Sequence, residues 1–169
     1  MIKKNKTELD GVFTISPPTN FEDFRGSYVE TYNKDIYNEV GINTEFIQDD
    51  ISTSYKNVLR GIHGDQSTCK LISCLHGMFY LVVVNNDKNS YQFKKWQSFV
   101  LSDSNRLQVF VPPKFGNGHL VLSDKAIFHY KQNSNYDRDG QFTIAWNDPE
   151  YEFWWPITNP ITSIRDKAI

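Results

Sequence analysis

Short runs of β-branched, aromatic and aliphatic residues recur along this chain, and each is closed within a few residues by Gly, Pro, Asn or Asp. The clearest are FRGSYVETY (24–32), TEFIQDDIS (44–52), KLISCLHGMFYLVVV (70–84), WQSFVL (96–101), RLQVFVPP (106–113), HLVLS (119–123), AIFHYKQ (126–132) and FTIAW (142–146). The stops between them, such as NNDKNS, SDSN, KFGNG and YDRDG, are turn chemistry. Evenly spaced short strands of this kind restrict the chain to an all-β sandwich or barrel. KDIYNEVG (34–41) reads as a short helix, and EYEFWWPITNP (150–160) as an irregular, aromatic-rich tail packed on the barrel. No repeat, low-complexity run or linker interrupts the 169 residues, so a single domain over 1–169 is expected.

The charge balance narrows the partners. Net charge is −2, which gives no general attraction to nucleic acid or to an anionic membrane. An anionic ligand would have to be held by a few placed cations. No apolar run approaches the roughly 20 residues that span a bilayer. The charged start MIKKNKTELDG leads into no signal-type apolar segment, so a cytoplasmic protein is expected. Cys69 and Cys74 lie an odd number of residues apart, on opposite faces of one straight strand, and read as two reduced thiols.

The run LRGIHGDQSTCKLISCLHG (59–77) raises the question of metal. Small β-barrels often hold an ion through His-x-His, because residues i and i+2 of a strand point the same way. Here His63 is followed by Gly64 and Asp65, so the second imidazole is missing. His63, Asp65 and the distant His119 could supply two imidazoles and a carboxylate, but the spacing favours a site without metal.

Taken together, FEDFRGSYVETY, FIQDDIS, VLRGIH, CKLISCLHG, VPPKFGNGHLVLSD, HYKQNSNYD, FTIAWNDP, WWP and SIRD carry a resemblance from about Phe21 to Asp166. In that order and spacing the chain resembles the nucleotide-sugar 3,5-epimerases, whose best-known member acts on dTDP-4-keto-6-deoxyglucose. The resemblance implies a cofactor-independent cupin jelly roll, a double-stranded β-helix with short peripheral helices. It also implies a homodimer in which the N-terminal strand (about 20–32) crosses to the partner. It places His63 as general base, Asp166 as the carboxylate that orients it, Lys70 beside the keto oxygen and Tyr130 as proton donor on the opposite face of the sugar. Arg25, Glu30, Gln48, Asp49, Asp50 and Arg60 match nucleotide-sugar contacts, and Arg165 stands where family members often carry Lys.

The departures cluster around the ligand. Where many members read RGLHYQ this chain has RGIHGD. Where they read GFAHGF it has FGNGHL, which puts Asn117 at the second active-site His and His119 at an apolar position. Gln141 replaces a Glu near the barrel mouth. RGIHGD with PPKFGNGH is similar to the subgroup acting on GDP-4-keto-6-deoxy-heptoses for capsule or lipopolysaccharide synthesis, and a GDP-linked heptose is the substrate expected from this reading. The alternatives are C3-only epimerisation and a dTDP-linked 4-keto-6-deoxyglucose. A non-catalytic sugar-binding jelly roll is the rival of another class, because fold alone does not fix function.

The chemistry suits the residue types. A 4-keto group acidifies C3–H and C5–H, and inversion removes a proton on one face and returns one on the other. That needs a base near neutrality, the natural range of His, and an acid still protonated there, such as Tyr. A buried carboxylate fixes the imidazole, and a cation beside the keto oxygen stabilises the enolate. Arg offers its planar fork to the diphosphate.

Overall fold

The computed structural model describes residues 2–17 and 20–167. Two antiparallel sheets face each other. One has six strands in the order β1 (Lys3–Lys6), β2 (Phe13–Ser16), β10 (Gln108–Val111), β7 (Lys70–His76), β12 (Lys125–Gln132) and β5 (Gln48–Tyr55). The other has five, in the order β13 (Phe142–Thr143), β6 (Leu59–Gly64), β11 (Phe115–Val121), β8 (Met78–Asn85) and β9 (Trp96–Ser102). A separate hairpin pairs β3 (Asn20–Asp23) with β4 (Gly26–Val29). This is the expected all-β jelly roll. The helical part of the described residues is one short element, α1 (Lys34–Glu39), where the resemblance implied several.

The run at 70–84 is two strands rather than one. Gly77 takes a left-handed φ of +75°, and a Cβ there would sit 2.1 Å from the carbonyl oxygen of Lys125. The chain therefore folds back at Gly77 and gives β7 and β8 to different sheets. The run at 24–32 shortens to β4, and FTIAW to the two residues of β13. Strands β1, KKNK, and β6, LRGIHG, carry little β propensity of their own and form through pairing, β1 with β2 and β6 with β11.

Side-chain parity builds three apolar layers. Ile72, Val109, Val111 and Phe128 of the six-stranded sheet meet Phe79, Leu81, Val83 and Leu101 of the five-stranded sheet between the two. Each such side chain contributes about 1.5–3 kcal/mol of burial. The outer face of the five-stranded sheet presents Leu59, Ile62, Val82, Val84 and Leu120 to Ile144 and Trp155. Here the irregular tail acts as a packing plug, with Trp155 Nε1–H donating to the Trp146 carbonyl at 2.8 Å. The third layer packs Tyr37 of α1 and Ile42 on Ile15 and Leu71. The Asn33 side chain caps α1 by accepting from the backbone N–H of Asp35 and Ile36.

Cys69 and Cys74 are both free thiols. No helix among the described residues is long and apolar enough to cross a membrane.

Candidate active site

Between the sheets, at one end, lies a chamber of about 400 Å³. It receives His63 and Arg60 from β6, Lys70 from β7, Asn117 and His119 from β11, and Tyr130 from β12. Gln141, Arg165 and Asp166 close it.

Arg60 and His63 are three residues apart, which on a regular strand would send them to opposite faces. The ladder with β11 shows how both reach the chamber. His63 is opposite Asn117 and Arg60 is opposite His119, so β6 holds one residue more than its partner over this stretch. Gly61 absorbs the bulge at φ +110°. A Cβ on it would lie 2.6 Å from the Gly118 Cα and 2.7 Å from the Asn117 carbonyl oxygen.

Asp166 is 4% exposed, and its Oδ1 lies 2.6 Å from His63 Nε2. Ser163 Oγ–H donates to the other carboxylate oxygen at 3.0 Å. Burial pushes the Asp166 carboxyl up, but the contacts with His63, Ser163 and the Gly61 amide outweigh it and hold the group below its ordinary value. The charged carboxylate thus faces the imidazole.

Lys70 is buried, and its Nζ donates to Asn117 Oδ1 at 3.3 Å and sits 5.5 Å from the Tyr130 ring centroid. Burial lowers its pKa, an effect that the Asp65 carboxylate opposes and Arg165 reinforces. Tyr130 is opposite Asp50 across β12 and β5. Burial, then the Asp50 charge and hydrogen bond, push the phenol well above its usual range, so it carries its proton at neutral pH. His119 stacks on Phe128, centroids 4.2 Å apart and planes 8° from parallel. Burial first, then the Arg60 charge, push its pKa down to about 3, so it is a neutral lining group.

Several expected ligand contacts stand elsewhere. Strand parity puts Gln48 and Asp50 on the same side of β5 as the chamber residue Ser52, and the Gln48 amide donates to Asp50 at 2.7 Å. Asp49 points to the opposite face, paired with Lys131 at 2.7 Å and near His129 at 3.5 Å. Arg25 lies on the β3–β4 hairpin with its side chain 77% exposed and bound to Asp23 at 2.6 Å. Glu30 follows the hairpin, outside the chamber lining, with a buried carboxylate oxygen that has no hydrogen-bond partner. Among the described residues no group of three or more His, Cys, Asp or Glu side chains is arranged to hold a metal. Asp65 Oδ1 instead accepts from the Ser67 and Thr68 amides and shapes its own loop.

The sequence reading missed Ser52, Phe128, Tyr136, Arg138 and Ser163 in the lining. The i, i+2 parity of β5 would have found Ser52, and the Ser-x-x-Asp spacing Ser163. Tyr136 and Arg138 sit in an irregular loop with no such signal.

The pattern of the dTDP-4-dehydrorhamnose 3,5-epimerase family matches residues 6–169. The Escherichia coli (strain K12) enzyme of that name is 38% identical over 169 residues, covering 97% of this chain and 91% of the relative. A crystal structure of the Bacillus anthracis enzyme of that name, with TDP and PPi bound, superposes with a TM-score of 0.94 at 34% identity, over 98% of this chain and 97% of that one. A dTDP-6-deoxy-D-glucose-3,5-epimerase from Legionella pneumophila, in complex with dTDP-4-keto-L-rhamnose, gives 0.93 at 34% identity, over 98% of this chain and 90% of that one. The names of these relatives carry dTDP sugars, and they lend no support to the GDP-heptose expectation.

Proposed function

This chain belongs to the dTDP-4-dehydrorhamnose 3,5-epimerase family and is a nucleotide-sugar 3,5-epimerase, and from that premise we propose that its substrate is a dTDP-linked 4-keto-6-deoxyhexose. The observation that carries the reading is one chamber holding a carboxylate-bound His63, a protonated Tyr130 and a buried Lys70.

With the Nε2 proton of His63 donated to Asp166, Nδ1 keeps its lone pair for the substrate. His63 removes the proton from C3 or C5, and the electron pair of that C–H bond moves into the enolate. Lys70 stabilises the oxyanion formed at the 4-keto oxygen, in a setting where burial strengthens the attraction. Tyr130 returns a proton to the same carbon from the other face; the His63 imidazolium then releases its proton to solvent and the Tyr130 phenolate takes one from solvent before the next inversion. Arg60, Arg138 and Arg165 line the chamber as cations for the diphosphate.

The β3–β4 hairpin completes the proposal. It leaves Phe21, Phe24 and Tyr28 exposed by 69%, 99% and 66%, beside Arg25, whose exposed side chain is bound to its neighbour Asp23. We assign this surface to a second copy of the chain, with Arg25 serving the partner's diphosphate.

Proton exchange followed by NMR in D₂O tests the function. Deuterium is expected at both C3 and C5 of dTDP-4-keto-6-deoxyglucose, with much slower exchange in GDP-linked 4-keto-6-deoxy-heptose. Faster turnover of the GDP sugar would overturn the substrate assignment, and deuterium at C3 alone would redefine the product.

A further inference from the structure

Lys70 poses a problem of its own. It is 9% exposed, and among the described residues no carboxylate lies within ion-pair distance of it. A buried ammonium without a partner is costly. The hydrogen bond it makes is to the Asn117 side-chain carbonyl. We propose that Asn117 is a positioning residue, which holds the Lys70 ammonium in place for the 4-keto oxygen. This rests on the enolate reading above.

The backbone around Asn117 is built for such a task. Asn117 is paired with His63 on one side and with Val83 on the other, so it lies in the middle of the five-stranded sheet. Glycines flank it, and a side chain would be obstructed at Gly116 and tightly confined at Gly118. A Cβ on Gly116 would lie 2.7 Å from Ile62 Cγ2, and one on Gly118 would lie 3.0 Å from the Arg60 carbonyl oxygen. The close approach of β11 to β6 fixes the Asn117 Cα relative to the base. The amide side chain is 9% exposed and lines the chamber. Its contact with Nζ uses one of three ammonium protons, leaving two for substrate. At 3.3 Å this bond is longer than the usual 2.7–2.9 Å of a charge-assisted pair. It orients Lys70 without competing strongly with an oxyanion.

Other charged and titratable groups face Lys70 from the surrounding elements. They are Asp65 on the β6–β7 loop, Arg165 near the C-terminus, Tyr130 on β12 and His63 on β6.

Two substitutions test the assignment, with dTDP-4-keto-6-deoxyglucose as substrate. Asn117→Leu removes the acceptor at similar volume. It is expected to lower kcat about tenfold to a hundredfold with KM within about threefold, and to move the alkaline limb of the kcat profile to lower pH. Asn117→Asp places a carboxylate there and is expected to move the same limb to higher pH, and it carries the test should the Leu variant not fold. A rise in KM alone, or an unmoved alkaline limb in both variants, overturns the proposal. Titration of the Lys70 Nζ resonance in the free, labelled enzyme separates this inference from the function. It is expected to shift down in the Leu variant and up in the Asp variant. An unshifted resonance defeats the Asn117 assignment, whereas a wild type that exchanges no substrate proton defeats the reading beneath it.

Discussion

The inner wall of the barrel and the β3–β4 hairpin were both expected to touch the ligand, and they present their residues in opposite ways. On the inner wall, β6, β7, β11 and β12 deliver His63, Lys70, Asn117 and Tyr130 to one chamber, each held by ladders on both sides. The hairpin pairs only with itself, and it holds Arg25 in solvent against its neighbour Asp23. The wall is preorganised within one chain. The hairpin is a two-stranded ribbon, marginal alone, whose aromatic surface is the one proposed to meet a second copy. The difference teaches that, on the proposed roles, the proton chemistry and part of the ligand binding draw on different sources of order.

The sharpest way to probe the wall is His63→Asn. Loss of the base is expected to cut C3 and C5 exchange about 10³-fold, while the fold persists and the melting temperature falls by only a few degrees from the lost pairing with Asp166. Exchange at the wild-type rate would remove His63 from the chemistry. Gly61→Ala attacks the geometry rather than the group. The added Cβ collides with β11 and the φ of +110° is strained, so a stability loss of about 1–3 kcal/mol and a roughly hundredfold fall in kcat/KM are expected. Chemical denaturation and steady-state kinetics on one preparation measure both.

The hairpin is expected to respond more mildly. Arg25→Ala should raise KM about tenfold through the lost diphosphate contact, with kcat and melting temperature little changed. Mixing it with the His63→Asn variant sharpens the contrast. Assayed at substrate well below KM, if Arg25 serves the partner's chamber, half of the dimers regain one intact site, and activity rises to about a quarter of wild type. No recovery in the mixture would mean that each hairpin serves its own chain.

The smallest effect concerns stability and pH. Asp166 has its pKa lowered in the folded state, so the stabilisation is present above the ordinary carboxylate value of about 4 and is lost as pH falls through the lowered one. Asp166→Asn is therefore expected to cost about 2 kcal/mol at pH 7, and less with each step below pH 4, in urea titrations. A cost that is the same at pH 3 and pH 7 would detach the stabilisation from the charge.

Much of the barrel was legible because its inner strands combine apolar parity with turn residues. Strands β8 and β12 stand out as VVV and AIFHYKQ. Strand β6 did not, because Arg, Gly and His are poor strand formers and only the ladder with β11 makes them one. The pairing of Asp166 with His63 spans 103 residues and could be anticipated only through resemblance. The outward turn of Asp49 follows from parity once the register of β5 is known, since Gln48, Asp50 and Ser52 take the other face. The places of Tyr136 and Arg138 depend on the path of an irregular loop, which leaves no periodic trace in a sequence.

The bulge at Gly61 has a bearing on how such a protein can change over generations. Removing or adding one residue between Arg60 and His63 would turn one of them to the far side of the sheet, so that tetrapeptide is closed to insertions and deletions. The 133–141 connection carries Tyr136, Arg138 and Gln141 to the same chamber with no ladder to keep in step. New substrate ranges should therefore arise by lengthening or trimming that connection, while the spacing of Arg60 and His63 stays fixed.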